Sequence, residues 1–182
     1  NAIIILSIIG IVTSLYLIQN HYAPPTEGSL CDFSESVSCS LVNTSTYSML
    51  FNVPVALFGA LWFLTLGLMA LKAKETKTQH SLFTGILGWN ILGMLFVIYL
   101  IIAEIILEAI CPLCTVVHVI TLIAFVLSII LYKSFKSQVS LKKNLPKLKP
   151  WIIAIVILNL IPLILFNIPM GETEDHSPLA QC

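Results

Sequence analysis

Residues 111–132 read CPLCTVVHVITLIAFVLSIILY, and their reading decides the fold. From Thr115 to Tyr132 there is no Asp, Glu, Lys or Arg, and an apolar run of this length is a membrane-spanning helix. A C-x-x-C pair in a soluble chain points to zinc or to thioredoxin-like chemistry; here it opens a span instead. Pro112 suits the first helical position, where its missing N–H is not needed. Cys111 then falls at the N-cap and Cys114 at the third helical residue. Both sulfurs lie near the positive end of the helix dipole, which favours thiolate over thiol. The thiolate is the nucleophile of disulfide exchange, so the position suits a reactive pair at a membrane surface.

Working outward, the whole chain has the same character. Its 182 residues are 58% hydrophobic and 10% charged, with a mean hydropathy of +0.98. Spans are predicted over residues 2–18, 51–71, 82–103, 112–132 and 151–168, the last containing Pro162, which is expected to kink it. The expected class is an all-α membrane protein of one integral domain over residues 1–182. The first run lacks a preceding positive region and is read as a membrane helix of a trimmed chain, not a signal peptide. The zero net charge leaves no basic surface for nucleic acid.

Lysine supplies every positive side chain, and all lie in two loops: Lys72, Lys74 and Lys77, then Lys133, Lys136, Lys142, Lys143, Lys147 and Lys149. The positive-inside rule puts both loops in the cytoplasm. Five spans then place the 19–50 loop, the 104–110 link and the acidic tail outside. All five cysteines fall on that non-cytoplasmic side, where disulfides persist. The 19–50 loop is too small for a core of its own, so a disulfide and packing onto the helix ends are expected to hold it.

Cys31 and Cys39 enclose Asp32 to Ser38, a feasible small ring. Two readings stand: a staple for the loop, or a shuttle pair exchanging with Cys111 and Cys114. A C-x-x-C on the same side favours the shuttle. An all-cysteine zinc site is a third reading, disfavoured by the wide first spacing and the oxidising side. No metal is therefore assigned. Cys182, in the tail, is treated as incidental.

His118 lies one helical turn below Cys114, on the same face. An ionisable residue within a span is a candidate site residue, here a hydrogen-bond donor to whatever reacts with Cys114. Asn52 at the mouth of the second span is a further candidate. For Asn90, bonding between helices is the expectation. Residues Ser45 to Ser48 read as a short interfacial segment. Glu104 and Glu108 read as a solvated face close enough to Cys111 to tune it. There is no G-x-G-x-x-G, no P-loop and no C-x-x-C-H haem motif. A lipid-soluble quinone, needing only an apolar pocket and one or two donors, is the expected electron acceptor.

The loop Cys31…Cys39-Ser40, the run Val53-Pro54-Val55-Ala56-Leu57-Phe58-Gly59 and Cys111-Pro112-Leu113-Cys114 together resemble the vitamin K epoxide reductase family, in its bacterial-type branch. The resemblance implies a four-helix bundle around a quinone pocket, with a fifth, peripheral helix. It implies an active-site disulfide between Cys111 and Cys114, with Cys114 facing the quinone. Cys39 would attack Cys111, and Cys31 would first meet the partner. His118, Asn52, Ser48 and Phe58 are the expected quinone contacts, and the resemblance implies that the 45–48 segment caps the pocket. In that branch a thioredoxin-like domain often follows the fifth helix, so such a domain or a separate thioredoxin-like protein is the expected donor.

The expected function is a quinone-dependent thiol oxidoreductase that drives disulfide formation, using a ubiquinone, menaquinone or phylloquinone type of acceptor. The expected setting is a bacterial plasma membrane. The alternatives are reduction of vitamin K epoxide, as in animal members, and a non-enzymatic membrane protein with structural disulfides.

Overall fold

The computed structural model describes residues 1–23, 31–75, 79–134 and 141–167. Its elements are α1 (Ala2–Tyr22), α2 (Cys39–Thr44), a single 3-10 turn (Thr46–Ser48), a two-stranded hairpin of β1 (Met49–Leu50) and β2 (Val53–Pro54), α3 (Val55–Glu75), α4 (Gln79–Ile106), α5 (Pro112–Ser134) and α6 (Leu141–Asn167). Four of the helices, α1, α3, α4 and α5, are long and apolar enough to cross a membrane. The apolar part of α6, Ile152–Asn167, is shorter, and the helix continues through Pro162 without a break. The tail with Cys182 lies outside the described residues, as do Pro24, Pro25, Gly28, Lys77 and Lys136.

Small residues bring α1 and α3 together. Ser7, Gly10 and Ser14 are buried along one face of α1. They meet Gly67, Phe63 and Gly59 of α3 in reverse order, which makes the pair antiparallel. At Gly10 a Cβ would stand 2.6 Å from the Phe63 ring, so only glycine admits that ring. Close backbone approach of this kind is how helices gain packing energy in lipid, where the hydrophobic effect between them is absent. The Ser7 hydroxyl donates to the Ile3 carbonyl at 2.8 Å, so its burial leaves no orphan donor.

Two packed regions result. One is built from Ile3, Phe63, Leu66, Phe83, Ile86, Ile120 and Ala124. At the opposite end, Leu17 packs with Cys31, Cys39 and Cys111. The outer helix faces are lined with exposed Ile, Leu and Val, among them Ile5, Val12, Leu95, Ile102, Val119 and Ile130. In water such a surface would aggregate; against lipid chains it is the expected one.

The second span differs most from the sequence expectation. It begins at Val55, not Phe51, because the hairpin intervenes. Met49 pairs with Pro54 and Leu50 with Val53, and the turn residues Phe51 and Asn52 have φ of 51° and 60°. Positive φ at both central positions matches the turn that strand twist requires. The Asn167 side-chain amide donates to the Phe51 carbonyl at 3.1 Å, tying the end of α6 to this turn.

Candidate functional site

Cys111 is the N-cap of α5, and its sulfur takes the part that a Ser or Asp oxygen usually plays. The Cys114 N–H donates to Cys111 Sγ at 3.2 Å. Pro112 occupies the first helical position. The Cys111 N–H, ahead of the helix, donates to Glu104 Oε1 at 3.2 Å. Glu104 is therefore half-buried and engaged, not part of a solvated face. Glu108 is exposed with φ of 51° and turns the chain out of α4.

The Cys111 thiol is held below its ordinary pKa. The main cause is a hydrogen bond from the Cys114 side chain; burial opposes it, backbone N–H groups assist, and the Glu104 charge opposes. Both thiols are free, whereas Cys31 and Cys39 are joined in a disulfide.

Backbone pairing seats the loop beside Cys111. Ile110 N–H donates to the Ser36 carbonyl at 2.9 Å, and Ser38 N–H donates to the Ile110 carbonyl at 3.1 Å. Cys39 and Cys111 are both 0% exposed within the cluster around Leu17. Asp32 grips both neighbours of Cys39. One carboxylate oxygen accepts from Ser38 Oγ at 2.8 Å and from Ser40 N–H at 2.9 Å. The other accepts from the Ser40 hydroxyl. On the far side, the Asn43 amide donates to the Leu17 carbonyl at 2.6 Å, and the His21 ring bonds to the Asn43 carbonyl at 2.7 Å. The short helix α2 is thereby pinned to the end of α1.

Inward from the dithiol lies a cavity of about 280 Å³ bounded by α1, α3, α4 and α5. Cys114, His118, Ser48 and Phe58 all line it, with Ser45 and Tyr47 above. His118 is buried, and its Nε2 has no hydrogen-bond partner among the described residues. A buried orphan nitrogen on a residue that lines a cavity is a natural place for a ligand oxygen. Trp62 and Trp89 form part of the wall. Each indole N–H donates to the other's carbonyl, at 3.3 and 3.1 Å.

The structure thus brings seven of the sequence candidates together: the four cysteines in or beside one cluster, and His118, Ser48 and Phe58 around the cavity. It does not bring Asn52 there. That residue is exposed at the hairpin turn and is not among the lining residues, because positive φ turns it outward from the start of α3. Asn90 is buried but bonds back to its own helix, to the Ile86 carbonyl at 2.9 Å, not across helices. Asp32 and the tryptophan pair were not anticipated. The Asp beside Cys31 and the serines flanking Cys39 were a usable signal for the first, since Asp and Ser favour such local bonds. Nothing in the sequence pairs Trp62 with Trp89.

A search of curated proteins finds no match to the chain. The sequence profile described as the vitamin K epoxide reductase family matches residues 1–129, which end within α5 and contain the loop, the dithiol and all but one of the cavity residues. With most of its length matched, the chain belongs to the vitamin K epoxide reductase family and is an integral-membrane oxidoreductase.

Proposed function

We propose that the protein oxidises a thioredoxin-like partner outside the cytoplasm and passes the electrons to a membrane quinone, so driving disulfide formation. The observation that carries the reading is the position of the dithiol: Cys111 packs with the Cys31–Cys39 disulfide, and Cys114 lines the cavity. One pair of sulfurs therefore faces both a protein-side disulfide and a lipid-side pocket.

The electron count closes at each step. The partner's dithiol reduces Cys31–Cys39 and becomes a disulfide. The Cys39 thiolate attacks Cys111 of an oxidised Cys111–Cys114 pair, and Cys114 leaves as a thiolate. Cys31 then attacks Cys39, restoring the loop disulfide and releasing Cys111. The Cys111/Cys114 dithiol returns to the disulfide by losing two electrons and two protons. The quinone takes up both, its two carbonyls becoming hydroxyls. His118 Nε2 serves as the donor to the quinone oxygen on which negative charge develops.

The test is turnover in detergent, with a reduced thioredoxin-like donor and a short-chain quinone followed by absorbance. Wild type should consume quinone, and Cys114→Ala should not. Cys31→Ala should lose electron entry from the donor while an already reduced Cys111/Cys114 pair still reduces one equivalent of quinone. Equal turnover by wild type and Cys114→Ala would refute the mechanism.

A further inference from the structure

Among the described residues the cavity has one lining residue from α6, Asn159, which lies beyond the stretch matched to the family. Its amide nitrogen donates to Thr65 Oγ1 on α3 at 3.2 Å and to the Ile155 carbonyl at 2.8 Å. The carbonyl can only accept, so the NH₂ end of the amide must face it. Thr65 is 0% exposed, so the bond docks α6 on α3 at a dry site. Both amide hydrogens are committed, and what Asn159 has left for a ligand is its carbonyl oxygen, an acceptor.

This acceptor lines the same cavity as His118. Asn159 lies about 12 Å inward of Asn167, which marks the outer turn, and His118 about 9 Å inward of Pro112. The two polar groups therefore sit at comparable levels of the cavity. Their chemistry differs. A quinone ring carries carbonyls, which accept; its two-electron product carries hydroxyls, which also donate.

We propose that Asn159 is a specificity residue for the redox state of the ring: its amide oxygen accepts a hydroxyl of the hydroquinone and offers nothing to the quinone. The proposal rests on the cavity being the quinone site. It makes α6 part of the binding site, holding the reduced ring more tightly than the oxidised one and so favouring electron transfer out of Cys111 and Cys114.

The experiment uses the full chain in detergent, in a Cys114→Ala background that does not turn over. Quenching of tryptophan emission reports binding, because Trp62 and Trp89 line the cavity. A short-chain benzoquinone and, anaerobically, its hydroquinone are titrated separately. Asn159→Leu should bind quinone with little change and hydroquinone about three- to tenfold more weakly, the worth of one neutral hydrogen bond. Thr65→Val keeps Asn159 but frees an amide hydrogen, and should shift the preference towards quinone. Equal losses for both ligands in Asn159→Leu would mean that the residue only holds α6 in place and would overturn the proposal. So would an unchanged preference in both variants. If the parent protein binds neither ligand, it is the assignment of the cavity that fails.

Discussion

Substituting Gly93 by Ala tests whether the cavity wall is built as described. An added Cβ at Gly93 would lie 2.4 Å from Trp62 Cζ2, 2.7 Å from Cε2 and 3.1 Å from Nε1. Carbon atoms in ordinary contact are about 3.5–4.0 Å apart, so the indole must withdraw by more than about 1 Å. Its N–H already reaches the Trp89 carbonyl at only 3.3 Å, and that bond breaks. Overpacking costs about 1–3 kcal/mol, and the lost interhelical bond in lipid adds about 0.6 kcal/mol. Alanine returns about 1 kcal/mol of helix propensity. The net expectation is a loss of about 0.5–2.5 kcal/mol. Gly88→Ala is the matched control, because nothing lies within 4 Å of its Cβ position, and it should be neutral or slightly stabilising. Thermal unfolding in detergent, followed by tryptophan emission, reads both variants. Gly93→Ala should melt below wild type with altered emission, and its KM for quinone should rise. A Gly93→Ala protein that melts with or above Gly88→Ala, with unchanged emission, would refute the packing.

Two further outcomes follow from the loop and the dithiol. Asp32→Ala removes three hydrogen bonds around Cys39. Bonds to a charged acceptor are worth about 1.5–3 kcal/mol each when fully counted; partial exposure reduces this to about 2–4 kcal/mol in total. It should slow transfer from the loop to Cys111 at least tenfold, whereas Asp32→Asn, which keeps the shape, should cost far less; stopped-flow quinone reduction from pre-reduced partner reads the rate. The second outcome concerns pH. Cys111 has its pKa lowered in the fold, so the stabilisation it gives the dithiol form is complete above the ordinary thiol value of about 8.5 and is lost as pH falls through the lower folded value. The gap in melting temperature between reduced wild type and Cys111→Ser should therefore widen as pH rises through that window and be flat above it. A gap independent of pH would show that the sulfur of the N-cap is not held as thiolate.

The parts of the site legible in the sequence are those fixed by one stretch of chain. Residues 111–114 announce their own geometry: proline belongs at the first turn, and that alone places one sulfur at the cap and the other on the third N–H. The long apolar runs give the four spans because lipid demands that each backbone group be satisfied within its own helix. The start of α3 lies later than the sequence suggests because Phe51 and Val53 extend the apolar run. The residue before a proline avoids helical backbone, so Pro54 held the signal that Val53 is extended. The turn itself had no glycine to mark it; Asn52 tolerates positive φ, whereas Phe51 does so uncommonly. Cavity and clamp were illegible for another reason. Trp62 needs the gap at Gly93, and Asp32 needs Ser38 and Ser40 folded back on it. Both are relations between segments.

The two kinds of feature divide the labour of the site. The dithiol is local, and any helix with this N-terminus would hold its sulfurs in the same relation. What makes the pair useful is that Ile110, the residue before it, is paired on both sides to Ser36 and Ser38. The loop disulfide is thus carried on the same short backbone segment that begins α5. Asp32 then grips Ser38 and Ser40, the residues on either side of Cys39. On the proposed mechanism neither hold depends on the loop disulfide, so when that disulfide opens Cys39 would stay beside Cys111 and its attack would be intramolecular at high effective concentration. A loop held only by its own disulfide would drift away at the moment its thiol was needed.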